Sequence, residues 1–227
     1  MRHAFGSPCT GVTTARAPAT AHSGARPGSR SLYDRARSLA SCPEPSGESE
    51  SSLPASQAVR LERATAQDAP LLANLLELYV HDMSEIFPVE LGPEGRFGYA
   101  HLPLYWSQPE ARWAFLIRSG ARIAGFALVT RGSPATSDPA DLDVAEFFVL
   151  RRYRRSSIGR EAAFALWDGL PGNWVVRVSE ANRAGLPFWG EIIRAYTGGV
   201  FTEAARSGSP HGVRVFTFQS TAKRSAS

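Results

Sequence analysis

Residues 142–170 read LDVAEFFVLRRYRRSSIGREAAFALWDGL, three kinds of segment in succession. Leu142–Leu150 ends in Phe147-Phe148-Val149-Leu150, apolar throughout, which predicts a strand covered on both faces. From Ser156 to Leu170 the residues Ile158, Ala162, Ala165 and Leu166 recur at helical spacing, and Pro171-Gly172 stops the helix. Between strand and helix lies a basic turn holding Arg151, Arg152, Arg154, Arg155 and Arg160, with Ser156, Ser157 and Gly159 as small residues. A strand-to-helix turn leaves the first backbone N–H groups of the helix unpaired, and those donors with the helix dipole favour an anion. Small residues let backbone and phosphate approach, and an Arg fork grips phosphate at two points. The turn is neither a Walker loop, which needs Gly-Lys-Ser/Thr, nor a dinucleotide fingerprint, which needs three glycines. A solvated basic turn capped by Ser156 is the plainer alternative.

Outward from this segment the chain alternates strands and helices. Val59–Arg63 alternates apolar and polar, as a short strand does. Thr65-Ala-Gln-Asp68 has the spacing of a capping box. Leu71, Leu72, Leu75, Leu76, Tyr79, Val80, Met83 and Phe87 then predict a long amphipathic helix, ended by Pro88, Gly92, Pro93 and Gly95. Residues 96–109 are aromatic-rich and irregular and read as a second short helix or a covering loop. Trp113–Ile117 and Ile123–Thr130 read as a hairpin turning at Ser119-Gly120, and Gly132–Asp141 as a loop. After the basic segment come a strand at Trp174–Val178 and a helix from Ala184 to Tyr196, with Pro187 in its first turn. Two late strands follow, Val200–Ala204 and Val213–Phe218. The order predicts an α/β sheet of about seven strands with helices on both faces.

Composition sets the domain plan. Of 23 aromatic residues in 227, only Phe5 and Tyr33 precede Val59. Residues 1–57 are rich in Ser, Ala, Pro, Gly and Arg and cannot supply a core, so they are expected to form a disordered tail, as are 221–227. The first 33 residues carry Arg and Ser without an acid, as a transit peptide does, but Pro8, Pro18 and Pro27 would break its helix. A start site placed too far upstream gives the same composition. The remaining chain, 58–220, is long enough for one layered core. From residue 58 onward the chain carries 19 Lys and Arg against 17 Asp and Glu, close to balance, which argues against nucleic acid as a partner. No apolar run is long enough to span a bilayer, so no membrane is expected and the location is read as cytoplasmic. Cys9 and Cys42, the only cysteines, lie in the tail, which excludes a thiolate zinc site or catalytic cysteine in the core. His101 and His211 lack ligand spacing with each other or with acids, so no metal is expected.

With these elements in this order, residues 59–218 resemble the GCN5-related N-acetyltransferase (GNAT) superfamily. That family carries an Arg/Gln-x-x-Gly-x-Gly/Ala turn after its fourth strand, matched here by Arg154, Ser157 and Gly159. Phe188-Trp189 stands where the family often has Phe-Tyr, and Gly198-Gly199-Val200-Phe201 is similar to its approach to the sixth strand. The resemblance implies a mixed, mostly antiparallel twisted sheet, with acetyl-CoA as co-substrate and a primary amine as acceptor. It implies that backbone groups of Phe148, Val149 and Leu150 bond the pantetheine arm. Backbone N–H groups from Arg155 through Ser156, Ser157, Ile158 and Gly159 to Arg160 would hold the pyrophosphate, and Asn182 would contact the CoA arm. Asn182 also reads as an ordinary helix cap. A homodimer is compatible with the resemblance.

Two positions depart from the family. Ser157 replaces the first Gly, which costs little if that position is already helical. Trp189 replaces the Tyr that many relatives use to protonate the departing thiolate, and an indole is no acid near neutral pH. Glu146 is the candidate base, directly or through water, because burial at the head of the apolar run would raise its pKa. A structural carboxylate paired with an Arg is the alternative. Tyr196 is the candidate replacement acid, against a role in core packing. His81 and Asp82 are rival polar groups, and Tyr105, Trp106 and Trp113 are candidates to shape an acceptor pocket. Two other functions stay open: a non-catalytic acyl-CoA-binding module, and a binder of nucleic acid or another anionic partner through Arg151–Arg160. If the tail carries no core, a chain beginning at Gln57 keeps its melting temperature within a few degrees; a large drop, read by calorimetry, shows that the tail docks.

Overall fold

Strand pairing, rather than helix packing, sets the frame of this molecule. The computed structural model describes residues 58–207 and 211–221, so the disordered tails expected for 1–57 and 221–227 lie, but for Thr221, outside the described residues. Seven strands form one sheet: β1 Val59–Arg63, β2 Arg112–Ser119, β3 Arg122–Arg131, β4 Leu142–Val149, β5 Gly172–Ser179, β6 Thr202–Arg206 and β7 Val213–Ser220. Their order across the sheet is β1-β2-β3-β4-β5-β7-β6. All neighbours are antiparallel except β4 and β5, which run parallel. Parallel neighbours need a crossover, and α3 (Ile158–Gly169) supplies it.

The helices divide between the two faces. Helix α1 (Ala69–Met83) follows a 3-10 turn at Ala66–Asp68, where Asp68 and Thr65 form the capping box. With the short α2 (Leu104–Ser107) it covers Leu116, Phe126, Leu128 and Phe148 on one face. Helix α3 and α4 (Gly185–Thr197) cover the other, where Trp167, Trp174, Val176, Ile193, Phe216 and Phe218 are buried. The apolar cluster under α1 and α2 ends at β4 and does not extend to β5, β7 or β6.

Among the boundaries that differ from the sequence reading, three have a visible cause. The first helix stops at Met83 rather than near Phe87, because Ile86 and Phe87 both donate to the Met83 carbonyl in a turn. Phe87 keeps its apolar spacing but meets the His211 ring, 6.2 Å between centroids. The helix after the basic turn begins at Ile158, two residues late, and its cap is Ser157 rather than Ser156. The Ser156 hydroxyl instead donates backward to the Tyr153 carbonyl at 2.6 Å. The sixth strand begins at Thr202, since Gly198 and Gly199 have φ of 62° and 91° and turn the chain, leaving Val200 79% exposed.

Gly125 on β3 is required by close approach. A Cβ built there would lie 1.9 Å from the Phe148 carbonyl oxygen on β4. Gly190 in α4 has nothing within 4 Å of such a Cβ. Gly125→Ala is therefore expected to destabilise by at least about 2 kcal/mol, a fall of roughly 4–8 °C in Tm. Gly190→Ala should stabilise by about 0.5–1 kcal/mol through helix propensity. Thermal unfolding of the pair checks the sheet geometry.

Candidate active site

The site is built where β4 and β5 part. Their pairing covers only Leu142 with Trp174, Asp143 with Val175 and Val144 with Val176. On the other side of β4, Val144 pairs with Val129 and Glu146 with Leu128, so Ala145 is an extra residue, a β-bulge. The bulge bends β4 away from β5 and resets the side-chain alternation. In an unbroken strand Asp143 and Glu146, three apart, would face opposite sides of the sheet. Here Glu146 and Phe148 share the face of Asp143. Beyond the bulge β4 keeps β3 on one side only. Leu150 donates its N–H to the Ala124 carbonyl at 2.8 Å, so that donor is spent within the sheet. By alternation the backbone groups of Phe147 and Val149 point into the opening. The Val149 carbonyl there accepts from Arg154 Nε at 2.8 Å.

Glu146 is 8% exposed. Its oxygens accept from the Tyr79 hydroxyl at 2.5 Å and the Tyr99 hydroxyl at 2.9 Å. Burial pushes its pKa up; the two phenols and the Arg177 charge pull it back in part, and Asp143 adds to the rise. Both phenols are pushed up in turn by burial and by Glu146, so they act as donors rather than acids. Beside them Arg177 reaches across from β5 and grips Asp143 with Nε at 2.8 Å and Nη2 at 2.9 Å. The Ser133 hydroxyl also donates to Asp143, which is fully buried. Burial works against the Arg177 cation, but the bonds to Asp143 and the charges of Asp143 and Glu146 more than offset it. The Arg partner expected for Glu146 thus belongs to Asp143.

The basic turn is held from below by α1. Asp82, near its C-terminus, takes Arg151 at 2.7 Å and Arg154 at 2.5 Å. Burial disfavours the Asp82 carboxylate, yet these two Arg residues hold it below the usual carboxylate range. Arg154 also lies over the Phe148 ring, 5.5 Å from its centroid. Arg151 and Arg154 are therefore tied to α1, though exposed like Arg152, Arg155 and Arg160. Arg155 has φ of 60°, the one non-glycine residue in that region among those described. Ser157 is helical, φ −68° and ψ −13°, without a side-chain cap, so Ser in place of Gly carries no strain there. Gly159 is buried, and a Cβ on it would come within 3.1 Å of Phe188. Glycine there lets α3 approach α4.

Other candidates are dispersed. Asn182 Oδ1 accepts the Gly185 N–H at 2.8 Å at the start of α4. Trp189 is 8% exposed and stacks edge-on against Phe147 at 5.1 Å. Tyr196, two turns further along α4, donates to Asp168 at 2.8 Å and packs on Trp167 at 4.9 Å. Burial and Asp168 raise its pKa, and it stands in the cluster under α3 and α4, on the opposite face from Glu146. His81 is an exposed side chain 3.9 Å from Asp82. Tyr105 is buried, within the electrostatic reach of Glu146, and belongs with Trp106 to the cluster under α1. Trp113 packs on the other face, with Arg63 and Arg131 against its ring. Sequence reasoning missed Tyr99, Asp143 and Arg177 and took Tyr79 only as core. A phenol at helical spacing and single charges on strands carry no local signal of a shared carboxylate. Among the described residues no group of three His, Cys, Asp or Glu is placed to hold a metal, and no helix is long and apolar enough to cross a membrane.

Neither a family model nor a curated protein matches the sequence. Solved structures do match in fold. An aminoglycoside acetyltransferase, AAC(6')-Ib, in complex with coenzyme A superposes with TM-score 0.51 at 14% identity, over 71% of this chain and 95% of its own. A ribosomal L7/L12 alpha-N-protein acetyltransferase in complex with coenzyme A gives 0.50 at 15%, over 73% and 96%. An acetyltransferase of Salmonella typhimurium that modifies the N-terminal serine of L7/L12 gives 0.50 at 15%, over 72% and 95%. At these identities the likeness establishes the fold.

The surroundings of Glu146 give a signed expectation. Its carboxyl should titrate above an ordinary glutamate, about 4.3, when followed by carbon NMR against pH. A hydroxyl bonded to the carboxylate favours the charged form. Tyr99→Phe should therefore move the midpoint further up. A midpoint at or below 4.3 in the parent would show that the phenols and Arg177 outweigh burial.

Proposed function

We propose that this chain, which has the fold of the GCN5-related N-acetyltransferases, moves the acetyl group of acetyl-CoA to a primary amine by direct transfer. One observation carries the reading. The opening between β4 and β5 brings together an unpaired strand edge, a buried carboxylate and a basic turn at a helix start. The strand edge at Phe147 and Val149 fits the amides of a pantetheine arm laid along it like an added strand. The N–H groups at Ser157, Ile158, Gly159 and Arg160, with the exposed Arg152, Arg155 and Arg160, fit a pyrophosphate. Asn182 would face the same arm.

Acetyl-CoA, when bound, supplies the acetyl thioester and a thiolate leaving group. Glu146 does the proton work. A substrate amine arrives mostly as ammonium and has no lone pair to attack with. Glu146 takes one proton, which frees the nitrogen pair to form the C–N bond as the C–S bond breaks and its electrons leave on sulfur; the second proton that the nitrogen sheds passes through water to the thiolate. The thiolate needs no strong acid, since an ordinary thiol titrates at about 8.5, so water can protonate it. This suits a site in which Trp189 has replaced the usual phenol and Tyr196 is committed to Asp168. A module that binds acyl-CoA without turnover is the second reading, favoured by that same Trp189. A cytoplasmic location belongs to the first reading, because that is where a soluble transferase meets acetyl-CoA.

Two variants test the assignment while preserving the fold. Ser157→Asp places a favoured capping residue at the helix start, so Tm should hold or rise. The same carboxylate faces the pyrophosphate, and calorimetry should show at least a tenfold loss of CoA affinity, about 1.4 kcal/mol. Glu146→Gln should leave CoA affinity nearly intact and lower thiol release with an accepted amine by roughly a hundredfold. Release should also lose its fall at low pH, because the fall reports protonation of the raised Glu146 carboxyl. Normal release by Glu146→Gln assigns the base elsewhere, and absence of release with any amine favours the binding module.

A further inference from the structure

The segment that supplies Tyr99 has no regular structure to hold it. Between α1 and α2 the described residues 84–103 hold neither helix nor strand. Yet this stretch delivers a hydroxyl to Glu146 at 2.9 Å. Fixing such a donor costs backbone and side-chain freedom, which some other bond must offset. Within the segment the Gly92 N–H donates to the Arg96 carbonyl at 2.8 Å and the Gly95 N–H to the Gly92 carbonyl at 2.9 Å. Those bonds shape the loop without tying it to the rest of the molecule. At its start the Ile86 carbonyl accepts from His211 Nε2 at 3.0 Å, far along the chain from Tyr99. Glu77 on α1 makes the tie beside Tyr99. One oxygen of its carboxylate accepts the Phe97 N–H at 2.8 Å and the other the Gly98 N–H at 3.0 Å, with Arg96 Nε at 3.4 Å. Burial works against this carboxylate, but the two backbone donors and Arg96 hold it below the usual range.

Hydrogen bonds to an ionised carboxylate are stronger than neutral ones. Two of them from consecutive backbone N–H groups fix the orientation of the chain as well as its place, and the next residue is Tyr99. The Glu146 carboxyl is faced by Tyr79 from α1, Tyr105 from α2, Asp143 on its own strand, Arg177 from β5 and Tyr99. Of these groups Tyr99 alone stands outside a helix or strand, so it alone needs an anchor of this kind. We propose that Glu77 is a positioning residue, whose carboxylate holds the Phe97 and Gly98 N–H groups and thereby keeps the Tyr99 hydroxyl on Glu146. Any effect on turnover rests on the transfer reading above; the effect on the Glu146 carboxyl does not.

The test is the Glu146 midpoint, followed by carbon NMR in the full chain without CoA, through a cycle of variants. In the parent Tyr99→Phe moves the midpoint up. In the Glu77→Gln background the same substitution should lose most of its effect, because the hydroxyl has already left. A Gln amide offers one carbonyl oxygen and an NH2 group, and the NH2 cannot accept the second N–H. Tyr79→Phe should move the midpoint equally in both backgrounds, since α1 holds Tyr79. An undiminished Tyr99→Phe shift in the Glu77→Gln background overturns the proposal. Loss of the Tyr79→Phe shift there overturns it too, because Glu77 would then support the site as a whole and not Tyr99. In the parent the Phe97 and Gly98 amides should be protected from hydrogen exchange; unprotected amides overturn the anchor even where Glu77→Gln fails to fold. Thiol release keeps the two readings apart. Coupled midpoints in a parent that releases no thiol with any amine support the anchor and reject transfer. Release by a parent whose midpoints are uncoupled does the reverse.

Discussion

The single extra residue at Ala145 is the constraint on which the site depends. Parallel strands that remain paired offer no free edge, and a ligand cannot enter between them. The bulge ends the β4–β5 pairing after Val144, and a bulge increases local bend and twist. It also moves Glu146 onto the face of Asp143, under α1. One backbone irregularity therefore opens the cleft, exposes the strand edge and aims the carboxylate. Gly125 makes this possible from the other side, since any side chain there would strike the Phe148 carbonyl.

Opening a sheet removes hydrogen bonds, and something must hold the two strands at the point of parting. Arg177 and Asp143 do so with two bonds at 2.8 and 2.9 Å, backed by Ser133. A buried pair of this kind is weak evidence of net stability, but loss of one partner typically costs about 3–5 kcal/mol because the other charge is stranded. The pair also sets the field at Glu146. Burial alone would push that carboxyl far up; Arg177 and the phenols of Tyr79 and Tyr99 moderate it. The carboxyl is thus tuned by groups from α1, the irregular segment after it and β5.

The basic turn divides its charge between two tasks. Arg151 and Arg154 are tied to Asp82, so they fix the turn to α1. Arg152, Arg155 and Arg160 face solvent and are available to an anion. Arg155 adopts a left-handed conformation that costs a non-glycine residue about 1–2 kcal/mol. Strain of this kind gathers at ligand-binding turns, where the surroundings hold it. The tie to Asp82 on one side and the start of α3 on the other provide that restraint.

Local chemistry wrote much of this fold into the chain. Apolar runs and helical spacing located all seven strands and the main helices, because burial periodicity is a property of consecutive residues. Composition sets 1–57 apart only as an expectation, since those residues lie outside the described ones; small residues among arginines marked the turn. Glu146 was legible as an acid beside an apolar run. Boundaries shifted where backbone bonds overrode spacing, as at Met83 and Ile158. What the sequence could not show was which residues meet. Tyr79 and Tyr99 reach Glu146 from positions 67 and 47 residues away, and Arg177 reaches Asp143 from 34. Tyr196 looked like a spare phenol until the fold gave it to Asp168. The bulge at Ala145 has no signature in residue type, since it is a matter of register between two strands, and only the assembled sheet fixes register.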